Sequence, residues 1–408
     1  MNGPISQASK WPELQGLGLT PEQQSAYNRF RFWRIVIASS IWYSFYYLGR
    51  LNWGICMPWI IKDLNITKME AGMVAAGLFW SYAVSTFLSG RFGEIFGSRL
   101  MQQFGGIGTT ILNIATALQS AYTGIFVTFT ANGFVQGQAY APTNMLITQW
   151  YPKARRGLAT GIYATSMGVS SLVGWGITGY TVVHYGWRAA FIWPLLIFTL
   201  PSTIALYFSV RNRPSDAGFP EYKEPITDTI STKAEALKEE QIKGMKAWGI
   251  LFKNWKFMFL CIASFSVYIG RFGLLTWVPL FYAETAGIKL KDVPLMTFAL
   301  PFGMILLLMD LIPIKVMGIP WAIALQVLAG FFVLGINGVL FTAACDFGGR
   351  KIAGTAVGTI NLFNYVAAGT QGVLIGGILT LTGSWTIVFA TIAGFMVIGT
   401  ILTFLTKE

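Results

Sequence analysis

The sequence predicts an all-α, polytopic membrane protein. Hydrophobic residues make up 54% of its 408 residues and charged residues only 11%, and a soluble domain could not cover that much apolar surface with polar groups. Apolar runs of roughly 20 residues, the length that crosses a bilayer as a helix, recur along nearly the whole chain. Because these runs are continuous and do not alternate, they favour helices over the strands of a barrel.

The positive charge of the chain is placed as in a membrane protein. A net charge of +12 would indicate nucleic acid binding in a soluble protein, but here the basic residues lie in short loops on alternate sides of the apolar runs. Arg29 and Arg34 flank the start of the first run, Arg99 follows the second, and Arg156 follows the fourth. We therefore expect no nucleic acid partner and a protein of the cell (cytoplasmic or inner) membrane, with both termini cytoplasmic.

The chain divides into two bundles joined by a polar linker. The predicted domains are a cytoplasmic N-terminal segment, a six-helix bundle, a cytoplasmic linker and a second bundle, at residues 1–30, 31–210, 211–250 and 251–408. The apolar runs predict membrane spans at about 32–60, 69–91, 100–119, 122–149, 156–182, 187–210, 252–283, 293–313, 320–346, 352–381 and 385–405. The first segment lacks the apolar core of a cleavable signal peptide, so the first span is expected to direct membrane insertion.

The two bundles repeat one another. Tyr47-Leu-Gly-Arg50 matches Tyr268-Ile-Gly-Arg271 at an offset of 221 residues, and Gly157 to Gly161 matches Gly354 to Gly358 at an offset of 197. Such internal repeats are typical of transporters, which place the substrate at the repeat interface. The ordered matches predict a duplicated bundle with pseudo-twofold symmetry.

The second bundle is shorter than the first. The offset falls by 24 residues between the two matches, which is about the length of one membrane helix. We predict that residues 293–319 form a short or re-entrant hairpin, or one strongly tilted helix, within a nominal plan of twelve helices. The alternative is that the loops simply differ in length.

Two arginines lie inside apolar runs. Arg50 falls near the middle of the first span, where a cation costs about 2.5–3.5 kcal/mol to insert, and Arg271 takes the equivalent place in the second bundle. Under pseudo-twofold symmetry the two side chains converge, and guanidinium groups bind phosphates and carboxylates through paired donors. The pair predicts a binding site for a small organic anion. Alternatively, each arginine pairs with a buried acid or extends to an interface.

Tyrosines accompany both arginines. Tyr47 and Tyr43 lie one and two turns from Arg50, respectively, and Tyr268 lies one turn from Arg271. Because a tyrosine hydroxyl can donate a hydrogen bond to an oxyanion, these three residues join the predicted site. The alternative is aromatic packing in the core.

The sequence contains no sign of catalysis. Its three cysteines, Cys56, Cys261 and Cys345, are widely spaced inside apolar runs, which is not the spacing of a metal site or a disulfide framework. No nucleotide loop, metal-ligand cluster or catalytic triad is present. We expect a monomeric protein that is not an enzyme and that has no cofactor or metal.

Several motifs resemble one family of carriers. Tyr46 to Asn52, Arg213 to Pro220 and Val267 to Gly273 resemble segments of the organophosphate:phosphate antiporters, which include the glycerol-3-phosphate and hexose-6-phosphate transporters. Leu362 to Tyr365 is similar to the eleventh helix of that family. The resemblance covers residues 30–406 apart from the shortened region of helices 8 and 9.

The resemblance implies a fold and a function. The expected fold is that of the major facilitators, and the expected activity is exchange of an organic phosphate for inorganic phosphate by alternating access. Arg50 and Arg271 would hold the phosphate. By motif match, the cavity and its surroundings would also include Tyr43, Tyr47, Tyr140, Tyr268 and Asn364.

The chain also departs from the family pattern, and this leaves other functions open. Thr86 replaces a lysine that is frequent in the second helix, and Met167 replaces a histidine in the fifth. The fourth and fifth spans are also similar to those of anion:cation symporters. The alternatives are a proton-coupled symporter of an organic carboxylate, a sugar-phosphate sensor that does not transport, and a non-transporting variant caused by the shortened second bundle.

Overall fold

The chain is helical throughout the part that the structure describes. This structure is a computed structural model, and it describes residues 14, 17–221, 245–285, 340, 343–344, 347 and 356–405. No strand occurs among these residues, and the predicted all-α fold is confirmed. The predicted hairpin at 293–319 lies outside the described residues, so it stays a prediction.

Nine α-helices are described in the first half. We number them α1 to α9: Pro21–Phe30, Ala38–Tyr46, Leu48–Leu64, Lys68–Phe96, Ser98–Ala117, Tyr122–Gln136, Tyr140–Trp150, Lys153–Pro194 and Leu200–Ser209. Two π-helical turns join neighbouring helices, at Arg31–Ile37 between α1 and α2 and at Leu195–Thr199 between α8 and α9.

Four further helices are described in the second half. We number them α10 to α13: Met245–Lys253, Trp255–Thr285, Ala356–Thr382 and Trp385–Leu405. The last helix coincides with the predicted span at 385–405.

The first span extends beyond its predicted start. Thr20 caps α1 with its hydroxyl, Pro21 occupies the first helical position, and the Gln23 side chain bonds back to the Thr20 amide. Helix then continues almost without interruption to Leu64. The predicted boundary at residue 30 therefore falls inside continuous helical structure.

Residues with unusual backbone angles separate the helices at one end of the bundle. Asn65 adopts a left-handed conformation with φ of 51° and ends α3, and Thr67 caps the start of α4. Gly186, with φ of 83°, interrupts α8 between the predicted fifth and sixth spans. A side chain at Gly186 would be strained at this angle, which explains why glycine occurs at the turn.

By length and hydropathy, five helical stretches among the described residues can cross a bilayer. They are Lys68–Ser89, Arg155–Ser209, Trp255–Glu284, Ala356–Thr382 and Trp385–Leu405. The second of these contains the turn at Gly186, so it corresponds to two predicted spans.

Helices α3 and α11 approach each other closely where the repeat predicts a symmetry axis. A Cβ atom on Gly54 would lie 3.2 Å from the Leu275 carbonyl oxygen. Leu275 is the counterpart of Gly54 at the same offset of 221 that relates Arg50 to Arg271. The pseudo-symmetric helices therefore meet at equivalent residues, about one turn beyond the two arginines.

Candidate functional site

Both predicted arginines line one internal cavity. The cavity has a volume of about 80 Å³, which is room for several water molecules. Its wall combines Tyr47, which lies between α2 and α3, with residues of α3, α4, α6, α8 and α11. The residues from these helices are Arg50, Leu51, Trp53, Gly54, Ala75, Leu78, Phe79, Phe129, Met167, Gly168, Ser171, Arg271, Phe272, Leu275 and Thr276. The site thus lies between the two halves of the chain.

The two guanidinium groups keep unused hydrogen-bond donors. Arg50 is only 6% exposed, and neither its Nη1 nor its Nη2 has a partner among the described residues. The Nε of Arg271 also lacks one. No carboxylate of the described residues pairs with either arginine. Buried donors without acceptors are costly, so an anion that enters the cavity would meet positive charge and free N–H groups.

Aromatic rings hold both cations in place. The Arg50 guanidinium lies 3.8 Å from the centroid of Tyr47 and 5.0 Å from that of Tyr82. Arg271 lies 5.5 Å from the centroid of Tyr268 and 5.4 Å from that of Phe272. These cation–π contacts stabilise the charges and leave the N–H edges available.

A pair of tyrosines connects the two halves beside the arginines. Tyr82 of α4 and Tyr365 of α12 have ring centroids 4.3 Å apart, and their hydroxyl oxygens are 3.5 Å apart. Tyr365 in turn packs on Tyr268 at 6.1 Å. Aromatic contacts therefore run continuously from Arg50 to Arg271 across the interface.

The predicted site residues fall into two groups. Arg50, Arg271 and Tyr47 line the cavity. Tyr268 does not line the cavity, but its ring contacts the Arg271 guanidinium. Tyr43, Tyr140 and Asn364 do not line the cavity.

Tyr43 and Tyr140 pack in an aromatic cluster behind Tyr47. The Tyr43 ring lies 5.1 Å from Tyr47 and 5.9 Å from Tyr140, and Tyr140 stacks on Tyr163 at 5.8 Å. Asn364 is 1% exposed and accepts a hydrogen bond from the Ser264 hydroxyl. In this conformation, none of these three residues lines the cavity.

Sequence reasoning missed several residues of the site. Thr276 and Trp53 line the cavity and Tyr82 packs on Arg50, but none was predicted. The repeat carried a usable signal for Thr276, since it directly follows Leu275, the counterpart of Gly54. Nothing in the spacing of Tyr82 distinguished it from the other aromatic residues of a chain that is 15% aromatic.

The two departures from the family pattern lie in different places. Met167 lines the cavity between the arginines. Thr86 lines a second hollow of about 310 Å³ with Phe87, Trp248 and Asn361, and its hydroxyl bonds to backbone carbonyls of its own helix. Only the first departure therefore changes the wall of the cavity that contains the arginines.

The two halves contact each other at the end of the bundles where α3 ends and α4 begins, which we call the Lys68 end. Lys68 forms an ion pair with Glu284 of α11 at 2.9 Å, and the Met69 amide donates to the Thr380 hydroxyl at 3.1 Å. A Cβ atom on Gly72 would lie 2.1 Å from the Gly372 carbonyl oxygen. Glycine at this position thus allows α4 and α12 to touch.

Comparison with known proteins assigns the family. The family profile described as Major Facilitator Superfamily matches residues 40–314, and the chain belongs to this superfamily. Its members are transporters and not enzymes. The relatives described next are consistent with the organophosphate:phosphate antiporter family within it.

Three relatives illustrate the range of that group. A probable hexose phosphate transport protein of Chlamydia muridarum is 29% identical over 86% of each chain. The membrane sensor protein UhpC of Escherichia coli is 25% identical over 90% of each chain. A glycerol-3-phosphate transporter of Bacillus subtilis is 24% identical over 89% of each chain.

Solved structures support the fold alone. A bacterial homolog of the human lysosomal transporter Spinster, in an inward-facing and unoccupied conformation, superposes with a TM-score of 0.71 at 14% identity and covers 92% of this chain and 97% of its own. A peptide transporter in complex with sulfate gives a TM-score of 0.68 at 14% identity, with coverage of 92% and 94%. Together with the family match, this likeness identifies the protein as an integral membrane protein with the major facilitator fold.

Proposed function

We propose that this protein exchanges an organic phosphate, of the sugar phosphate or glycerol phosphate class, for inorganic phosphate by alternating access. The observation that carries the proposal is the pair of arginines, one from each half, that line one cavity with free donors and no carboxylate partner among the described residues. The similarity to a probable hexose phosphate transport protein and to a glycerol-3-phosphate transporter supports the substrate class.

The proposed cycle follows from electrostatics. With the cavity empty, Arg50 and Arg271 repel each other, and the repulsion opposes the approach of the two halves. A phosphate that accepts hydrogen bonds from both guanidiniums cancels this repulsion. Only the loaded carrier then changes conformation readily, and this restricts transport to exchange.

We also propose an orientation. The loops that carry Arg99 and Arg156 would face the cytoplasm under the positive-inside rule, so the Lys68 end would face outward. In this conformation the contacts between Lys68 and Glu284 close the outer side.

Exchange in proteoliposomes tests the proposal. Vesicles loaded with inorganic phosphate should take up radiolabelled glycerol-3-phosphate or hexose-6-phosphate, and vesicles without internal phosphate should not. Uptake that follows a pH gradient without internal phosphate would instead establish a proton-coupled symporter. Saturable binding of an organic phosphate without any counterflow would indicate a sensor, as UhpC is described to be.

A further inference from the structure

The backbone just before Arg50 is held by a buried cluster of polar side chains. We call it the amide cluster, and it comprises Asn52, Thr109, Asn113, Asn132 and Gln136. All five are at most 1% exposed. They come from three helices, α3, α5 and α6, and they lie inside the first half, outside the cavity wall.

Two of these amides bind the same backbone carbonyl. The Gly49 oxygen accepts hydrogen bonds from Asn132 Nδ2 at 2.7 Å and from Asn113 Nδ2 at 3.0 Å. Gln136 Nε2 donates to the Tyr46 carbonyl at 3.3 Å. Side-chain amides thus fix the helical turn from Tyr47 to Arg50 at two backbone carbonyl groups, those of Tyr46 and Gly49.

The cluster is internally connected. Thr109 donates to Asn132 Oδ1 and accepts from Gln136 Nε2 at 2.7 Å. Asn52 Nδ2 donates to Asn113 Oδ1 at 2.7 Å. Because each amide is oriented by another member, the donors that reach the Gly49 carbonyl have little freedom to move.

The helix is locally irregular where the cluster binds it. Tyr47 separates α2 from α3, and its carbonyl accepts from both the Arg50 and the Leu51 amides at 3.1 Å. Side-chain donors are what satisfy backbone groups at such irregularities inside a membrane. The cluster packs directly against the backbone of Gly49, where a side chain would not fit. An added Cβ would lie 2.5 Å from Thr109 Oγ1 and 2.9 Å from Gln136 Nε2.

We infer that Asn113, Asn132 and Gln136 are positioning residues that aim the Arg50 guanidinium into the cavity. The inference rests on the proposed function, since it assigns these residues to the anion site that Arg50 would form. They touch no cargo. They act by fixing the Gly49 and Tyr46 carbonyls, and through them the direction in which the Arg50 side chain leaves the helix.

The competing explanation is that the cluster only holds helices together, as interhelical polar bonds do in membranes. Gln102 provides a matched control. It is a fully buried amide on α5 and donates to Thr143 Oγ1 of α7 at 2.9 Å, but it does not touch the segment that carries Arg50. Gln102→Leu should cost stability without affecting the anion site.

The first test compares affinity with stability. We expect Asn132→Leu and Gly49→Ala to raise the Kd for inorganic phosphate by about tenfold or more, since small misplacements of a binding group are costly. Gln102→Leu should lower the unfolding midpoint in detergent and leave this Kd unchanged. An unchanged Kd for both Asn132→Leu and Gly49→Ala, measured on folded protein, would overturn the inference.

The second test does not depend on phosphate binding, so it separates this inference from the proposed function. In a background in which the native cysteines are replaced by serine, the thiol of Arg50→Cys should react with a small thiol reagent through the cavity. Adding Asn132→Leu should slow that reaction by about tenfold if the side chain is redirected, and adding Gln102→Leu should not. Equal rates with and without Asn132→Leu would refute the positioning role even if the wild type binds no phosphate.

Discussion

At the scale of single residues, the site depends on two cations that lie against aromatic rings. Arg50 and Arg271 line one cavity, and each is held by aromatic rings and not by a carboxylate of the described residues. An aromatic ring stabilises a guanidinium without occupying its N–H groups. This arrangement keeps the charge in the bilayer while leaving the donors available for an anion.

The ring of Tyr47 should matter more than its hydroxyl. Tyr47→Phe keeps the ring that lies 3.8 Å from Arg50, and we expect the Kd for inorganic phosphate to stay within about threefold of wild type. Tyr47→Ala removes the cation–π contact and should raise the Kd by about tenfold. Calorimetry on the purified variants measures both. A large effect of Tyr47→Phe would mean that the hydroxyl itself contacts the anion.

At the scale of elements, glycine sets how closely the two halves approach. Gly72 of α4 and Gly372 of α12 touch, because a Cβ on either one would lie within 2.4 Å of the other's carbonyl oxygen. Small residues allow this kind of close approach between membrane helices. The contact lies at the Lys68 end, beside the ion pair of Lys68 and Glu284.

Gly72→Ala should hold α4 and α12 apart at the Lys68 end. We expect the exchange rate in proteoliposomes to fall by about tenfold or more, since backbone atoms cannot give way as a flexible side chain can. Gly377→Ala is the matched control on α12, because its added Cβ would make only an ordinary contact of 3.7 Å with Met69. Equal exchange rates in the two variants would contradict the role of this contact.

The elements also show how far the sequence could predict the structure. The helix at 385–405 and the break at Gly186 follow from apolar length and from glycine, so they could be predicted. The amide cluster could not, because Asn52, Asn113 and Asn132 are far apart in the sequence and single polar residues in apolar runs have no distinctive spacing. Asn364 was assigned by motif alone, and its bond to Ser264 depends on the packing of α11 against α12.

At the scale of the whole molecule, the two halves differ in the cation that pairs with an equivalent acidic residue. Asp63 accepts a hydrogen bond from Trp187 and pairs with Arg188 within the first half. These donors keep the pKa of the Asp63 carboxyl below its usual value, so it is ionised at neutral pH. Trp187 and Arg188 therefore stabilise the negative charge of Asp63 through contacts within the first half.

The second half repeats the acid and the tryptophan but not the cation. Glu284 accepts from Trp385 at 3.0 Å, and both occupy the positions equivalent to Asp63 and Trp187. The counterpart of Arg188 is Thr386, and the cation comes instead from Lys68 of the first half. In the first half, the acid thus pairs with a cation of its own bundle. In the second half, the equivalent acid pairs with a cation of the other bundle.

Removing this bridge should favour separation at the Lys68 end. Glu284→Gln keeps an oxygen for Trp385 but loses the ion pair, and Lys68→Met loses it from the other side. Because the pair is partly exposed, we expect each to change the ratio of closed to open forms by only about two- to fivefold. Distances between spin labels at Lys62→Cys and Thr382→Cys report that ratio.

The double variant and a control complete this measurement. Combining Lys68→Met with Glu284→Gln should add little to either single change, since both remove one interaction. Asp63→Asn breaks only a contact within the first half, so it should leave the label distances unchanged. Additive effects, or an equal shift from Asp63→Asn, would show that the ion pair does not control closure.

The proposed function depends most on the joint binding of one anion by Arg50 and Arg271, and calorimetric titration of the purified protein with inorganic phosphate tests this joint binding directly. We predict that Arg50→Lys and Arg271→Lys each weaken binding by about a hundredfold, because lysine cannot supply paired donors. Arg99→Lys is the control, since Arg99 lies 3.8 Å from the Tyr207 ring but outside the cavity, and its affinity should equal that of wild type. Wild-type affinity in Arg50→Lys or in Arg271→Lys would show that the two arginines do not bind the anion jointly.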